Sequence, residues 1–134
     1  AVYNYSKALC EKNAAREGVA SRCVFQHGDA KQLDFPDESF DVVISNYVYH
    51  NVMGADMQKL LLESLRVLKK GGVFALNDDM KPKMYGDMED FAQKLRDMGY
   101  QDVRLIDTAQ EAFGSHRRAA MMMLGSSRLL VGRK

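Results

Sequence analysis

The feature that most constrains the fold is an alternation of short apolar, β-branched runs with segments of helical periodicity. Residues 41–45, Asp-Val-Val-Ile-Ser, are typical of a strand covered on both faces in a parallel sheet, and residues 73–76 form a second apolar run. Between them, after a plausible N-cap at Asp56, leucines recur at helical spacing as far as Leu68. This order predicts an α/β sheet with right-handed crossovers and residues 41–45 as a central strand.

The remaining segments extend the same alternation in both directions. We expect a helix over residues 6–17, a strand at 23–26, a helix from Asp87 to before Gly99, an edge strand at 103–105 and a last strand at 128–131. The Lys-Lys-Gly-Gly run at 69–72 is interpreted as the end of the helix that begins after Asp56. Residues 110–127 show no regular pattern and are interpreted as an insertion before the last strand.

Size and charge limit the class of protein. A chain of 134 residues can bury a core as one domain without a disulfide or a metal, so we expect a single domain over residues 1–134 and no metal site. A net charge of +1 provides no overall field to hold nucleic acid or an anionic membrane, so any partner must be recognised locally, and no apolar run is long enough to span a membrane. Cys10 and Cys23 have no nearby histidine and are expected to be free, buried thiols, which fits a cytoplasmic protein.

Polar residues follow three of the predicted strands. They are Gly28-Asp29-Ala30, Ser45-Asn46 and Asn77-Asp78-Asp79. Since the carboxyl ends of parallel strands meet at one edge, these groups would line one crevice, where Asp29 could accept from an exocyclic amine and Asn46 could meet an amino-acid end. Turn or helix capping explains Asp29 and Asp79 equally well.

The order and spacing of three motifs resemble the class I S-adenosylmethionine-dependent methyltransferases. The motifs are Gly28-Asp29-Ala30, the run Leu33-Asp34-Phe35-Pro36-Asp37-Glu38-Ser39-Phe40-Asp41-Val42-Val43, and Arg66-Val67-Leu68-Lys69-Lys70-Gly71-Gly72. They are most similar to the methyltransferase-11 type, which includes the ubiquinone and menaquinone biosynthesis enzymes. Lys70 stands where that family usually has proline.

The resemblance implies S-adenosylmethionine as cofactor and a small molecule as methyl acceptor. By this resemblance Asp29 binds the adenine amine, the Ala30 amide helps to hold the ring, and Ser45 and Asn46 lie near the methionine part.

Two tyrosines are further candidates for the cofactor site. By the resemblance Tyr3 and Tyr5 follow the family's second strand, in the region that borders the adenine or the ribose. Packing before a helix is the alternative interpretation of both residues.

The amino-terminal features of the family have no counterpart in this sequence. No G-x-G occurs, and the first strand, the glycine-rich turn and the acid after the second strand are missing. The resemblance therefore implies a Rossmann-like fold truncated at its N-terminus, a partial methyltransferase domain with a mostly parallel sheet and an antiparallel last strand.

The family's strand order is 3-2-1-4-5-7-6, so the missing strands separate residues 23–26 from residues 41–45. Either the first segment closes onto the second, or the exposed apolar edge pairs with a second copy. We expect a homodimer.

His50 is the candidate catalytic residue. It follows the Asn46-Tyr47-Val48-Tyr49 run and would lie over the crevice where an acceptor enters, so it could serve as a base. A structural histidine is the alternative, because methyl transfer needs chiefly proximity and alignment.

The segment before the last strand holds two further features. The run Met121-Met122-Met123 could line an apolar acceptor pocket; the alternative is that it fills the core or belongs to a packed insertion. The run His116-Arg117-Arg118 is interpreted as a solvated basic turn.

Three functions remain to be compared. The leading hypothesis is a methyltransferase, and the alternative is a noncatalytic fragment or interaction module that has lost cofactor binding. A dinucleotide-dependent oxidoreductase is disfavoured because its main signature, the glycine-rich loop, is absent.

Overall fold

The computed structural model describes residues 6–134. In chain order, the helices and strands are α1 (Lys7–Arg16), β1 (Phe40–Asn46), α2 (Met57–Arg66), β2 (Leu68–Asp79), α3 (Pro82–Tyr85), α4 (Met88–Asp97), β3 (Gln101–Asp107), α5 (Thr108–Phe113), α6 (His116–Met121) and β4 (Ser127–Arg133). Short 3₁₀ turns lie at Ala20–Arg22 and Tyr49–Asn51. Within residues 6–134, no helix is both long and apolar enough to cross a membrane.

The four strands form one mixed sheet in the order β1-β2-β4-β3. β1 and β2 are parallel, whereas β4 is antiparallel to both of its neighbours. Three strands therefore run in one direction and the last strand runs against them. This arrangement matches strands 4-5-7-6 of the family order and confirms the expected fold class, with β3 at an edge as predicted.

Helix starts follow the capping groups that the sequence provides. The side chains of Ser6, Asp56 and Asp87 accept hydrogen bonds from backbone amides three residues on, and they open α1, α2 and α4 respectively. All three helices begin where they were predicted to begin.

The core lies on one face of the sheet. Phe74, Leu76 and Leu130 point from the strands into a buried cluster with Leu61 of α2 and Leu95 of α4. These alternating strand positions are fully buried because both helices cover this face.

The other face carries no helix over β1. Val42 is 58% and Ile44 76% exposed, and β1 pairs only with β2 among the described residues. The prediction of a central strand covered on both faces is therefore wrong for residues 41–45. The expectation of an exposed apolar edge at this strand is confirmed.

Residues 23–26 form no strand, so that prediction is wrong. The segment is irregular and Val24 is 89% exposed. A β-prone run becomes a strand only when a neighbour satisfies its backbone groups, and none does so here. The prediction of buried thiols fails as well: both cysteines are free, but Cys10 is exposed and Cys23 is half-buried.

β2 starts earlier than predicted. Residues 69–72 do not end a long helix, because α2 stops at Arg66 and the strand begins at Leu68. Gly71 has a φ of +77°, and a Cβ on Gly72 would lie 2.8 Å from the Asp41 carbonyl oxygen. Both glycines are needed here, one for its left-handed backbone and the other for close approach of β1.

The segment predicted at residues 110–127 precedes the last strand except for Ser127, which begins β4, and it is not irregular. Asp107 caps α5 by accepting from the Gln110 amide, and Ser115 caps α6 by accepting from the Arg118 amide. The basic run 116–118 lies exposed in the first turn of α6. Single capping residues thus start α5 and α6, two helices that are each too short to show a periodic apolar pattern in the sequence.

Arg66 fixes the connection that carries Asp29. Its guanidinium donates to the carbonyl oxygens of Leu33 and Phe35 at 3.0 and 2.9 Å and to the carboxylate of Glu63 at 2.8 Å. Hydrogen bonding from Arg66 holds the pKa of Glu63 below its usual value despite partial desolvation. The loop between α1 and β1 is thereby anchored to the last turn of α2.

We predict that Gly132→Ala lowers the free energy of unfolding by about 1–3 kcal/mol, the usual effect of overpacking. A Cβ at this position of β4 would lie 2.7 Å from Cζ of the fully buried Phe74. Urea denaturation measures the effect, with Gly28→Ala as the control because nothing lies within 4 Å of its added Cβ. If the double variant Gly132→Ala/Phe74→Leu regains part of the lost free energy of unfolding, the loss comes from the clash between the added Cβ and the Phe74 ring. Equal stability of Gly132→Ala and Gly28→Ala would contradict the prediction.

Candidate functional site

Several polar groups meet at the carboxyl edge of the sheet. β1, β2 and β3 end there, and the antiparallel β4 begins there. The chain leaves this edge through residues 47–56, 80–87 and 108–126, as expected for the ligand-binding side of an α/β sheet.

His50 contacts a fully buried carboxylate. Its Nδ1 lies 2.5 Å from Oδ1 of Asp78, near the end of β2, while the imidazole side chain is 34% exposed. The carboxylate is held by backbone amides: Oδ2 accepts from Tyr49 at 2.8 Å and from His50 at 3.3 Å, and Oδ1 accepts from Asp79 at 2.7 Å. Asp78 therefore fixes both the backbone and the ring of His50.

This contact determines what His50 can do chemically. An aspartate oxygen accepts a hydrogen bond from Nδ1–H, so the neutral ring carries its hydrogen there and keeps the Nε2 lone pair free. Nε2 is the nitrogen opposite Asp78, and it can accept a proton from a bound molecule.

Two buried tyrosines surround the carboxylate. Burial raises the pKa of the Tyr85 phenol, and the nearby charge of Asp78 raises it further. Burial likewise raises the pKa of Tyr49, whose hydroxyl lies 2.8 Å from Oγ of Ser64. Both phenols thus stay neutral beside the buried carboxylate of Asp78.

A chain of hydrogen bonds links β1, β2, β4 and the start of α5 at this edge. The Asn77 amide donates to Oδ1 of Asn46 at 2.8 Å, and the Thr108 hydroxyl donates to Oδ1 of Asn77 at 3.2 Å. Oγ of Ser127 lies 2.7 Å from the Thr108 hydroxyl and 2.6 Å from the Tyr47 hydroxyl. The network joins side chains that lie far apart in the sequence.

Tyr47 adopts a strained backbone conformation beside His50. Its φ is +53°, a left-handed value that a non-glycine residue adopts at a cost. The conformation is fixed because its amide donates to the Asn77 carbonyl at 2.9 Å and its ring lies edge-on to His50 at 6.4 Å. Such strain is common at functional sites.

The predicted adenine-binding pair lies in a tight turn. Asp29 is exposed, its Oδ1 accepts from the Lys31 amide at 2.9 Å, and its backbone bridges to Gln32. Ala30 is half-buried and packs against the core. The structure thus shows Asp29 as a turn cap, and its part in cofactor binding stays a prediction.

Ser45 and Asn46 end β1 but point to opposite faces of the sheet. Ser45 lies on the helix-covered face, where its buried Oγ has no hydrogen-bond partner among the described residues. Asn46 is exposed on the other face and accepts from Asn77. Tyr3 and Tyr5 lie outside the described residues.

Three residues of the site were not singled out from the sequence. Tyr47, Thr108 and Ser127 carry no motif, and a positive φ at tyrosine has no sequence signal. Asp78 was named only as one of three polar residues after a strand. Among residues 6–134, no group of histidine, cysteine and acidic side chains could hold a metal ion.

Similarity to known proteins agrees with this geometry. The model of a family described as a methyltransferase domain matches residues 2–76, more than half of the chain. An uncharacterised methyltransferase of Bacillus subtilis (strain 168) and the 27-O-demethylrifamycin SV methyltransferase of Amycolatopsis mediterranei (strain S699) are each 31% identical over 107 residues. These alignments cover 78% and 80% of this chain but only 42% and 38% of the two relatives.

A solved structure shows the same fold. A geranyl diphosphate methyltransferase in complex with S-adenosylmethionine superposes with a TM-score of 0.66 at 13% identity, over 96% of this chain and 65% of the other. The fold is that of the class I methyltransferases. By the family match, the chain belongs to the methyltransferase domain family, whose cofactor is S-adenosylmethionine.

The residues present fit part of that cofactor. The buried hydroxyl of Ser45, which no group within residues 6–134 bonds, and the exposed amide of Asn46 suit the charged groups of an amino acid. The exposed carboxylate of Asp29 suits an amine.

We predict that Asp78→Asn changes the tautomer of His50. The asparagine amide can donate as well as accept, so the neutral ring should lose its preference for hydrogen on Nδ1. Two-bond proton–nitrogen correlation spectra of the imidazole measure this change. Asp79→Asn is the matched control because Asp79 pairs with Lys81 at 2.8 Å; an unchanged His50 spectrum in Asp78→Asn would contradict the assignment.

Proposed function

We propose that this chain carries part of the catalytic domain of an S-adenosylmethionine-dependent methyltransferase that acts on a small-molecule acceptor. The observation that carries the proposal is the contact of His50 with buried Asp78 at the carboxyl edge of the sheet. Membership of the methyltransferase domain family supports it.

Six residues of this chain are assigned to cofactor binding. Asp29 binds the adenine amine, the Ala30 amide holds the ring, and Ser45 and Asn46 bind the methionine part. Tyr3 and Tyr5 border the adenine or the ribose. When bound, the cofactor supplies a methyl group on a sulfonium, which is a strong electrophile.

His50 acts as the base in this proposal. When an acceptor oxygen or nitrogen is methylated it must lose a proton, and Nε2 of His50 would receive that proton. Asp78 is a positioning residue: it holds the ring and balances the charge of the imidazolium. This role favours an acceptor with a hydroxyl group.

The first test is binding of S-adenosylhomocysteine by calorimetry, using a protein extended at the N-terminus by the family's first two strands. We predict that Asp29→Ala weakens binding by about 1–3 kcal/mol, the range for leaving a polar partner unsatisfied. Asp34→Ala removes another exposed carboxylate of the same connection and serves as the control. Equal affinities of the two variants would remove Asp29 from the site.

The same protein tests the role of His50 separately. His50→Gln should bind S-adenosylhomocysteine as the parent does but should lower kcat about 100- to 10,000-fold, the usual contribution of a general base. His116→Gln is the control, since this exposed histidine pairs with Asp107. If His50→Gln kept the kcat of the parent, methyl transfer would require only alignment of the reactants, and His50 would not be a catalytic base.

We propose, as a second role, that β1 pairs with the same strand of a second copy. The support is its outer edge, which has no neighbour among the described residues, together with the exposure of Val42 and Ile44. A noncatalytic interaction module would use the same edge.

Sedimentation equilibrium across a hundredfold range of concentration measures this pairing. We predict a monomer–dimer equilibrium for the chain and a monomer for Ile44→Lys, because a charge on an edge strand opposes pairing. Val73→Lys is the control, as Val73 is also exposed but lies on the interior strand β2. A parent chain that is monomeric throughout would overturn the dimer.

A further inference from the structure

An exposed cluster of methionines follows α6. Met121, Met122 and Met123 are 81%, 65% and 75% exposed, so the prediction that they fill the core is wrong. Single exposed apolar residues are normal on a protein surface, but three in succession are not.

Two arginines lie beside these methionines. Arg117 and Met121 are four residues apart on α6 and therefore lie on one side of the helix. Arg118 is next to Arg117, and Met122 is the C-cap residue that follows Met121. Ala119 points the other way and is fully buried, which directs this face outward. We call the five residues Arg117, Arg118 and Met121 to Met123 the α6 surface.

The charge of this surface is not neutralised within the described chain. Neither Arg117 nor Arg118 forms an ion pair with a described residue, and no aspartate or glutamate occurs from 112 to 134. The nearby carboxylate of Asp107 is already paired with His116 at 3.0 Å and Arg128 at 3.1 Å. Two cations thus remain available to an external anion.

Met123 has a backbone conformation that is unfavourable for a residue other than glycine. Met123 has a φ of +61°, at the position after a helix where glycine is favoured. Its amide donates to the Ala120 carbonyl at 3.0 Å and the next amide, of Leu124, donates to Ala119 at 2.8 Å, which closes the helix end. A glycine would fit this turn better and would expose no apolar side chain.

From these observations we propose that the α6 surface docks onto an anionic lipid bilayer. The thioether side chains would enter the boundary between headgroups and acyl chains, while the two guanidinium groups would bind lipid phosphates. The local charge makes this possible despite a net charge of only +1.

Docking would have a consequence for the site. α5 begins at Thr108, which belongs to the hydrogen-bond network at the carboxyl edge, so the α6 surface and His50 share one edge of the sheet. An apolar acceptor could then reach this edge from the membrane. Lipid binding itself requires neither the cofactor nor His50, and it is tested without them.

Co-sedimentation of the 134-residue chain with vesicles tests the proposal. We expect retention on equimolar phosphatidylcholine and phosphatidylglycerol, little retention on phosphatidylcholine alone, and weaker binding at high salt because screening acts on exposed charges. Equal retention on both vesicles, or none on the anionic ones, would overturn it.

Substitutions locate the binding surface. Met121→Ser/Met122→Ser/Met123→Ser should weaken anionic-vesicle binding at least tenfold, and Arg117→Ser/Arg118→Ser about tenfold or more. Met98→Ser and Lys70→Ser are the matched controls, since both residues are exposed and lie at the opposite edge of the sheet. Parental binding by the two α6 variants would exclude this surface.

Met123→Gly separates lipid binding from folding. Because glycine suits a φ of +61°, this variant should unfold at the same or a higher temperature than the parent, yet it should bind anionic vesicles several-fold more weakly. Unchanged binding by a folded Met123→Gly would show that the exposed methionine does not enter the bilayer.

Discussion

The site depends on one carboxylate that has been removed from water. Asp78 is fully buried, and an ionised group in such a place is costly unless hydrogen bonds replace its hydration. The replacements are the amides of Tyr49, His50 and Asp79 and the ring of His50. The chain after β1 must therefore fold onto the end of β2 in one conformation, which fixes where His50 stands.

The reversed direction of β4 secures the other side of this turn. Because β4 begins where β2 ends, Ser127 reaches the Tyr47 hydroxyl at 2.6 Å, while the Asn77 carbonyl accepts from the Tyr47 amide. These bonds offset the left-handed backbone of Tyr47. The loop that carries His50 is thus held from two neighbouring strands, which is the preorganisation that a catalytic base requires.

Local signals predicted much of the fold, and features that depend on distant partners were missed. The starts of α2 and α4 follow from Asp56 and Asp87, whose capping is complete within one turn. Residues 23–26 have β propensity but no neighbouring strand, so propensity alone misled. The β-branched run at 41–45 identified β1 correctly, yet side-chain type does not specify which face a helix will cover.

The sequence predicted that polar residues follow the strands, but it did not predict which of these residues contact one another. His50 was a candidate from its position, but its partner depends on the register that pairs Ser45 with Leu76 and Asn46 with Asn77. Only in that parallel register does Asp78 lie level with the turn after β1. The turn at Asp29 is anchored differently, through Arg66 at the end of α2. Since α2 leads directly into β2, one helix–strand unit supports both the turn at Asp29 and the contact of His50 with Asp78.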